Sequence, residues 1–295
     1  MHVSVMLNRV VECLAVAPGG VWVDATLGGG GHARAILEAS GPDGTLVGID
    51  RDADALRRST DALASFAARC HLVHANYDAV ADILAGLGIA GVQGIVADLG
   101  VSLDQLATGG RGFSFTEDGP LDMRMNPAEG KPLSHFLATM SAQDLADALF
   151  YLGGERHSRR VAQTMKEDFR SGRIASTRDL AHSVLSALPA AARTGRIHGA
   201  TRTFQGLRKL VNDESGSLER FIPRAFESLA PGGRLVVISF ESGEDRLVKL
   251  AFKSLVAQGQ AVLVHKKPLV PEADERRVNR RARSAKLRTV ERVAS

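Results

Sequence analysis

The first hundred residues alternate short runs of β-branched and aliphatic residues with longer stretches whose apolar positions recur at helical spacing. Val21 to Thr26 reads as a buried strand, followed by the glycine cluster Gly28 to Gly31 and a helix from about His32 to Ala39. Thr45 to Asp50 predicts a second strand, and Asp52 to Ala68 an amphipathic helix with Leu56, Leu63 and Ala67 on one side. His71 to His74, a helix through Leu84 and the strand Val92 to Leu99 continue the winding. Repeated βα units predict a parallel sheet with helices on both faces and a ligand site at the carboxyl ends of the strands.

The alternation stops at Gly100 and resumes near Leu218 with a helix through Leu229, a Pro231 to Gly233 turn and the strand Arg234 to Phe240. Between them lie a loop rich in Gly, Phe and Pro (Gly109 to Pro132) and helical patterns such as Ser141 to Tyr151 and Thr177 to Leu188. No convincing strand interrupts them, so the middle reads as a helical insertion. A helix from Arg246 to Ala257 and strands at Ala261 to His265 and Lys286 to Glu291 would finish the sheet. The expected division is an α/β sheet domain over 1–106 and 207–295, with the insertion over 107–206.

The 295 residues are 44% hydrophobic and 24% charged, which excludes disorder, collagen and a disulfide scaffold. No apolar run approaches the ~18 to 20 residues that span a bilayer, and Met1 to Val11 is broken by His2, Asn8 and Arg9, unlike a signal peptide. A cytoplasmic protein without membrane contact is expected. Cys13 and Cys70 are far apart, and His157 and His198 lack partner spacing, so no metal is expected.

The net charge of +4 conceals an uneven distribution. Arg156 to Leu210 carries 12 Lys/Arg against 3 Asp/Glu, and Lys266 to Ser295 carries 10 against 4, leaving 15 against 26 elsewhere. Basic segments on an acidic body favour a polyanionic partner, because each neutralised phosphate releases counterions. Solvated helix arginines are the plainer alternative.

Asp24-Ala25-Thr26-Leu27-Gly28-Gly29-Gly30-Gly31-His32 is a strand, a glycine turn and a helix start, where backbone N–H groups can meet a ligand. Read from Gly28 it also satisfies a dinucleotide fingerprint, so an NAD(P)-dependent oxidoreductase must be weighed. Asp50, closing the second strand, suits a pair of ribose hydroxyls; capping of the next helix is its alternative role, for which Asp52 and Asp54 also qualify. Asp24 and Asp98 put two more carboxylates at strand ends, repelling a pyrophosphate and welcoming the sulfonium and ammonium of S-adenosylmethionine. Tyr77, just after the third strand, can pack on an adenine ring or in the core.

Together these residues resemble the MraW/RsmH family of bacterial small-subunit ribosomal RNA methyltransferases. The likeness also runs through His2 to Leu7, Gly48 to Asp52, Asp98 to Ser102, Arg111 to Phe115, Asp118 to Met125, Ala200 to Gln205, Pro231 to Leu235 and Arg281 to Ser284. It implies a Rossmann-like class I S-adenosylmethionine-dependent methyltransferase sheet with an α-helical insertion that recognises RNA. The implied reaction is methyl transfer to the N4 amine of a decoding-centre cytidine in 16S ribosomal RNA, within the 30S subunit and not on DNA. Gly30, Gly31, His32, Asp50, Tyr77, Asp98 and Gln105 match the family's cofactor contacts. Leu103 stands where a second Ser is usual, Arg280 where Pro is usual, and Glu241 and Gly243 where His and Leu are usual.

A cytidine in structured RNA must be unstacked, and aromatic or guanidinium faces can replace its neighbours. Phe113 and Phe115 beside Arg111 are candidates, with anchoring of their loop as the alternative; Arg202 and Gln205, with His198, could meet phosphate or base edges. Asp118, Asp122 and Arg124 suit ion pairs that hold the loop. The fourth strand ends in Asp98-Leu99-Gly100-Val101 rather than D/N-P-P-Y, so Asp98 is assigned to orienting the cofactor or the amine, with a cofactor ligand preferred over a base. A non-catalytic RNA-binding assembly factor on the same fold is the third reading, prompted by Glu241.

Overall fold

The computed structural model describes residues 4–100, 109–193, 197–279 and 281–293. Contacts divide the chain into two compact units, Met1–Gly100 with Gly216–Ser295, and Val101–Ser215. The strands are β1 Val21–Asp24, β2 Thr45–Asp50, β3 Cys70–His74, β4 Val92–Asp98, β5 Leu229–Ser239, β6 Ala261–Leu263 and β7 Lys286–Arg292. The first unit also holds helices α1 Leu7–Leu14, α2 Gly31–Ala39, α3 Ala53–Ala62 and α4 Val80–Gly86. The second holds α5 Leu133–Thr139, α6 Ala142–Gly153, α7 Ser158–Arg170, α8 Thr177–Ala187, α9 Ala190–Arg193 and α10 Thr201–Asn212. Then come α11 Glu214–Glu227, α12 Ser242–Ala257 and α13 Ala273–Val278.

All seven strands form one sheet in the order β3-β2-β1-β4-β5-β7-β6. Neighbours run parallel from β3 to β5, and β7 lies antiparallel to both β5 and β6. The order reverses between β1 and β4, which is where an open parallel sheet forms its ligand crevice. Alternate residues feed two cores. Ile95, Ala97, Leu235 and Val237 pack with α4, α11 and α12, whereas Val96, Val236 and Ile238 pack with α1 and α2. Burial on both faces explains why these strands read as continuous apolar runs.

Two expectations need correction. The helix expected over Asp52 to Ala68 ends at Ala62 and gives way to a 3-10 turn over Ala64–Arg69, leaving Ala67 exposed. Leu63 is instead buried against Gly30, and Ser59 donates to the Gly28 carbonyl at 2.7 Å, so α3 leans on the glycine turn through Ser59 and Leu63. The Pro231 to Gly233 turn lies inside β5, where the pairing with β4 shifts register between Val92 and Gly94. The left-handed Gly232 makes that bulge possible.

In the second unit the described residues contain helices and no strand. α10 packs on α6 at a glycine crossing, Gly153 against Gly206, where added Cβ atoms would strike backbone. This packing draws 207–212 into the second unit, so the boundary between the units falls after Ser215 rather than at 206. The loop before α5 is fastened by Asn212, which is buried. Its Oδ1 accepts from Met125 N–H at 2.8 Å, and its Nδ2 donates to the Met123 carbonyl at 2.7 Å. Met123 itself is held in the left-handed region at φ 61°, a conformation disfavoured for a long side chain. Asn212→Ala should therefore destabilise the protein by about 2 to 4 kcal/mol in denaturant unfolding, since several buried backbone groups lose partners together. Asn212→Asp keeps the acceptor but turns a carboxylate oxygen toward the Met123 and Arg208 carbonyls in a buried site, and should cost at least as much.

Candidate functional site

The glycine turn between β1 and α2 is built by contacts from several elements. Gly28 and Gly30 take left-handed conformations at φ 52° and 77°. Gly28 N–H donates to Asp50 Oδ2 and Asp52 N–H to Asp50 Oδ1, both at 2.8 Å. Asp52, not Asp50, caps α3, accepting from Asp54 N–H at 3.0 Å. The Asp98 N–H donates to Thr26 Oγ1 at 2.6 Å, tying the ends of β4 and β1 together. Residues before α1 cross the turn closely, so that a Cβ on Gly31 would collide with Ser4 Oγ. The His32 ring, only 4% exposed, bonds the Val5 carbonyl at 2.9 Å.

Three carboxylates converge on these strand ends. Asp24 is 1% exposed; its Oδ1 accepts from Thr26 N–H at 3.1 Å, while its buried Oδ2 has no hydrogen-bond partner among the described residues. Burial pushes the Asp24 carboxyl up to about 6, opposed by His32 and the Thr26 N–H and reinforced by Asp98 and Asp50. Asp50 is also raised by burial, and the N–H groups of Asp52 and Gly28 resist the rise. At 4 Å and an effective dielectric of 20, each added charge is worth about 4 kcal/mol, repulsive for a phosphate and attractive for a sulfonium or ammonium. The orphaned Asp24 oxygen fits a cationic ligand. This disfavours the dinucleotide reading of the glycine pattern.

A family model described as the MraW methylase family matches residues 1–293. The chain belongs to this family. Among its relatives, the ribosomal RNA small subunit methyltransferase H of Syntrophobacter fumaroxidans is 46% identical over 305 residues, covering 98% of this chain and 96% of its own. The protein of the same name from Syntrophotalea carbinolica is 45% identical over 307 residues, covering 99% and 98%. That from Geobacter sulfurreducens is 44% identical over 308 residues, covering 99% of each.

For this member of the MraW methylase family, the first unit brings Gly30, Gly31, His32, Asp50 and Asp98 to adjoining ends of β1, β2 and β4. Tyr77 stands after β3, half-buried, with its ring edge-on to Phe221 at 4.9 Å. Gln105 lies outside the described residues, as do Leu103 and Arg280. Two residues at the site escaped sequence reading. Thr26 locks the end of β4, and Asn76, before Tyr77, donates to Ser217 while its buried Oδ1 has no partner among the described residues. A polar residue directly after a strand was the only available signal for Asn76.

In the second unit, the loop contacts match the ion pairing expected of Asp118, Asp122 and Arg124. Arg124 makes two hydrogen bonds to Asp122, at 2.6 and 2.8 Å, and Asp118 accepts from Arg178 N–H at 3.1 Å. Arg111 is half-buried and donates to the Met125 carbonyl at 3.2 Å. Phe113 is 5% exposed within the core, so its ring is an anchor and has no face for a base. Phe115 is half-buried, stacked on His198 at 4.4 Å and edge-on to Phe204 at 5.1 Å. On α10, Arg202 is exposed and Gln205 half-buried one turn later.

Several basic residues of this unit serve the fold. Lys166 caps α5 through the Leu137 carbonyl at 2.6 Å, and Arg208 is paired with Glu214 at 2.7 Å. Arg156, Arg159, Arg160, Arg170 and Arg202 are exposed and make no ion pair among the described residues. No described helix is long and apolar enough to cross a membrane, and no described group of three or more His, Cys, Asp or Glu is arranged for a metal.

The Asp24 geometry yields an opposed pair of outcomes. Because its pKa is raised from 3.8 to about 6, the ionised carboxylate destabilises the ligand-free fold, and the penalty grows as pH rises through that interval. Asp24→Asn should be more stable than the parent at pH 8 by up to about 3 kcal/mol, with the gain vanishing below pH 4. The same variant should bind S-adenosylmethionine at least about tenfold more weakly by calorimetry.

Proposed function

We propose that this protein transfers the methyl group of S-adenosylmethionine to the N4 amine of a decoding-centre cytidine in 16S ribosomal RNA, carried within the small ribosomal subunit. Family membership makes it an S-adenosylmethionine-dependent methyltransferase. The buried carboxylate end of the sheet is the observation that carries the cofactor assignment, and the relatives' names carry the RNA assignment. When bound, the cofactor supplies a methyl group on a positively charged sulfur.

The chain's own residues divide the work as follows. The N–H groups of Gly31 and His32 are offered to a ligand at the start of α2. Gly30 closes the turn by donating its own N–H to the Leu27 carbonyl at 2.8 Å and brings its backbone beside the ligand, and the His32 ring holds the Ser4 to Met6 segment across the turn. Asp50, its carboxylate fixed by two backbone N–H groups, accepts from ribose hydroxyls with its remaining lone pairs. Asp24 offers charge to the cationic end of the cofactor. Tyr77 packs beside the adenine, and Asn76 Oδ1 is placed to accept from its amine. Gln105 adds a contact by likeness to the family.

The cytosine amine is a poor nucleophile because its lone pair is delocalised into the ring, so alignment and removal of a proton carry the catalytic burden. Asp98 sits at the end of β4 with its backbone N–H held by Thr26, which suits a fixed orienting group. We assign it to cofactor orientation ahead of proton transfer. Phe115 with His198 provides an aromatic surface for an unstacked base, Arg202 and Gln205 reach the RNA, and Arg111 supports the loop through Met125.

Mass mapping of ribosomal RNA from cells lacking the protein should show the loss of N4-methylcytidine at one position; an unchanged pattern contradicts the proposal. Transfer of radiolabel from S-adenosylmethionine to unmethylated small subunits separates an enzyme from an assembly factor. In that assay Phe115→Ala should lower kcat/KM by about 10- to 100-fold, in line with about 1 to 3 kcal/mol per stacked base. Asp98→Asn should lose cofactor affinity together with turnover; normal binding with lost turnover would make Asp98 the base instead.

A further inference from the structure

The C-terminal basic segment is less available than its composition suggests. Lys286 and Arg288 share Asp245, at 3.0 and 2.7 Å, and Arg234 pairs with Glu291 at 2.8 Å. Arg292 donates to the carbonyls of Glu227 and Leu229. On α13, Arg277 pairs with Asp274 at 3.4 Å. Arg276 and Arg283 differ: both are exposed, and neither makes an ion pair among the described residues. They are nevertheless brought together, with Arg283 Nε donating to the Arg276 carbonyl at 3.3 Å.

These two arginines line an open cavity of about 340 Å³ with Lys286, Glu241, Phe240 and Val270. Three basic side chains and one carboxylate thus share a concave space with an apolar wall. The cavity lies entirely within the first unit and directly follows the carboxyl end of β5, where Lys286 pairs with Ser239. β5 is the neighbour of β4, and Ile238 is in register with Asp98. The lining of the cavity therefore borders the same end of the sheet as Asp98. α13 is pinned to the segment crossing the glycine turn by Met6 N–H on Glu275 Oε1 at 2.7 Å, and the residue before it, Glu272, accepts from Arg9 of α1 at 3.1 Å. Arg276 is thus held by the same segment that covers α2.

We infer that Arg276 and Arg283 form a site for a backbone phosphate of the RNA substrate, with Phe240 and Val270 receiving the sugar or base attached to it. Two guanidinium groups that line one cavity, with no carboxylate paired to either among the described residues, suit a phosphate, whose oxygen pair matches their planar donors. Arg281 lies over the Phe240 ring at 4.8 Å, which stiffens the apolar wall. The inference rests on the RNA reading above and locates one part of the grip on the sheet unit rather than on the insertion.

Binding of a labelled small-subunit ribosomal RNA fragment, followed by fluorescence anisotropy across a salt series, tests it on the full chain. Arg276→Gln with Arg283→Gln should weaken binding about tenfold or more at physiological salt and flatten the log–log salt slope by about 0.7 for each phosphate no longer neutralised. Arg277→Gln, which removes one charge as each single cavity variant does but from outside the cavity, should leave the slope at the parent value. Calorimetric titration with S-adenosylmethionine should give parental affinity for the double variant, showing an intact sheet; if it does not, the single variants are read in the same way. Equal losses for Arg277→Gln and for each cavity arginine, or a double variant with parental affinity and slope, would overturn the inference, as would a parent that binds no RNA. A parent that binds RNA through these arginines yet transfers no methyl group would sink the proposed function and leave the phosphate site standing.

Discussion

A carboxylate that the fold would rather not ionise organises this site. Asp24 is buried, one of its oxygens has no partner among the described residues, and Asp50 and Asp98 add negative charge around it. Buried charges are retained at such cost where they are paired or used. Nothing in the described part of the sheet unit compensates Asp24 fully; His32 and the Thr26 N–H only moderate it. A cationic cofactor completes the arrangement electrostatically, and a pyrophosphate would make it worse. One sign of charge thus separates a methyl donor from a dinucleotide on a sheet that could house either.

The surrounding bonds hold these groups in fixed geometry. Asp50 receives two backbone N–H groups and becomes a rigid acceptor, Thr26 joins β1 to β4, and Ser59 and Leu63 brace the turn from α3. The segment before α1 closes over Gly31 and is gripped by His32 on one side and Glu275 on the other. Placement of the first strand ends and of α13 therefore belongs to one connected set of bonds. The second unit has its own core and its own fastened loop, centred on Asn212.

Much of the sheet was legible because strands buried on both faces leave unbroken apolar runs, and because β1, the glycine turn and Asp50 fall in a recognisable order. The break in βα alternation marked the insertion for the same reason. What escaped was set by tertiary contact. The early end of α3 depends on Leu63 packing at Gly30, and the Pro-Gly-Gly stretch joined β5 through a bulge that local turn chemistry does not reveal. Phe113 and Phe115 look alike in sequence, yet one is core and the other stacks on His198, a residue more than eighty positions away. Charge counting likewise overstated the available basic surface, since Lys166, Arg208, Arg288 and Arg292 are committed to carbonyls or carboxylates.

The most direct test of the electrostatic account is proton release on cofactor binding, measured by calorimetry near pH 6 in buffers of different ionisation enthalpy. If the Asp24 carboxyl, poised at about 6, is driven to its charged form by a cationic ligand, binding should expel about half a proton, and the release should disappear in Asp24→Asn. Heats that do not depend on the buffer, or a release that survives the substitution, would show that this carboxylate does not meet the cofactor's charge.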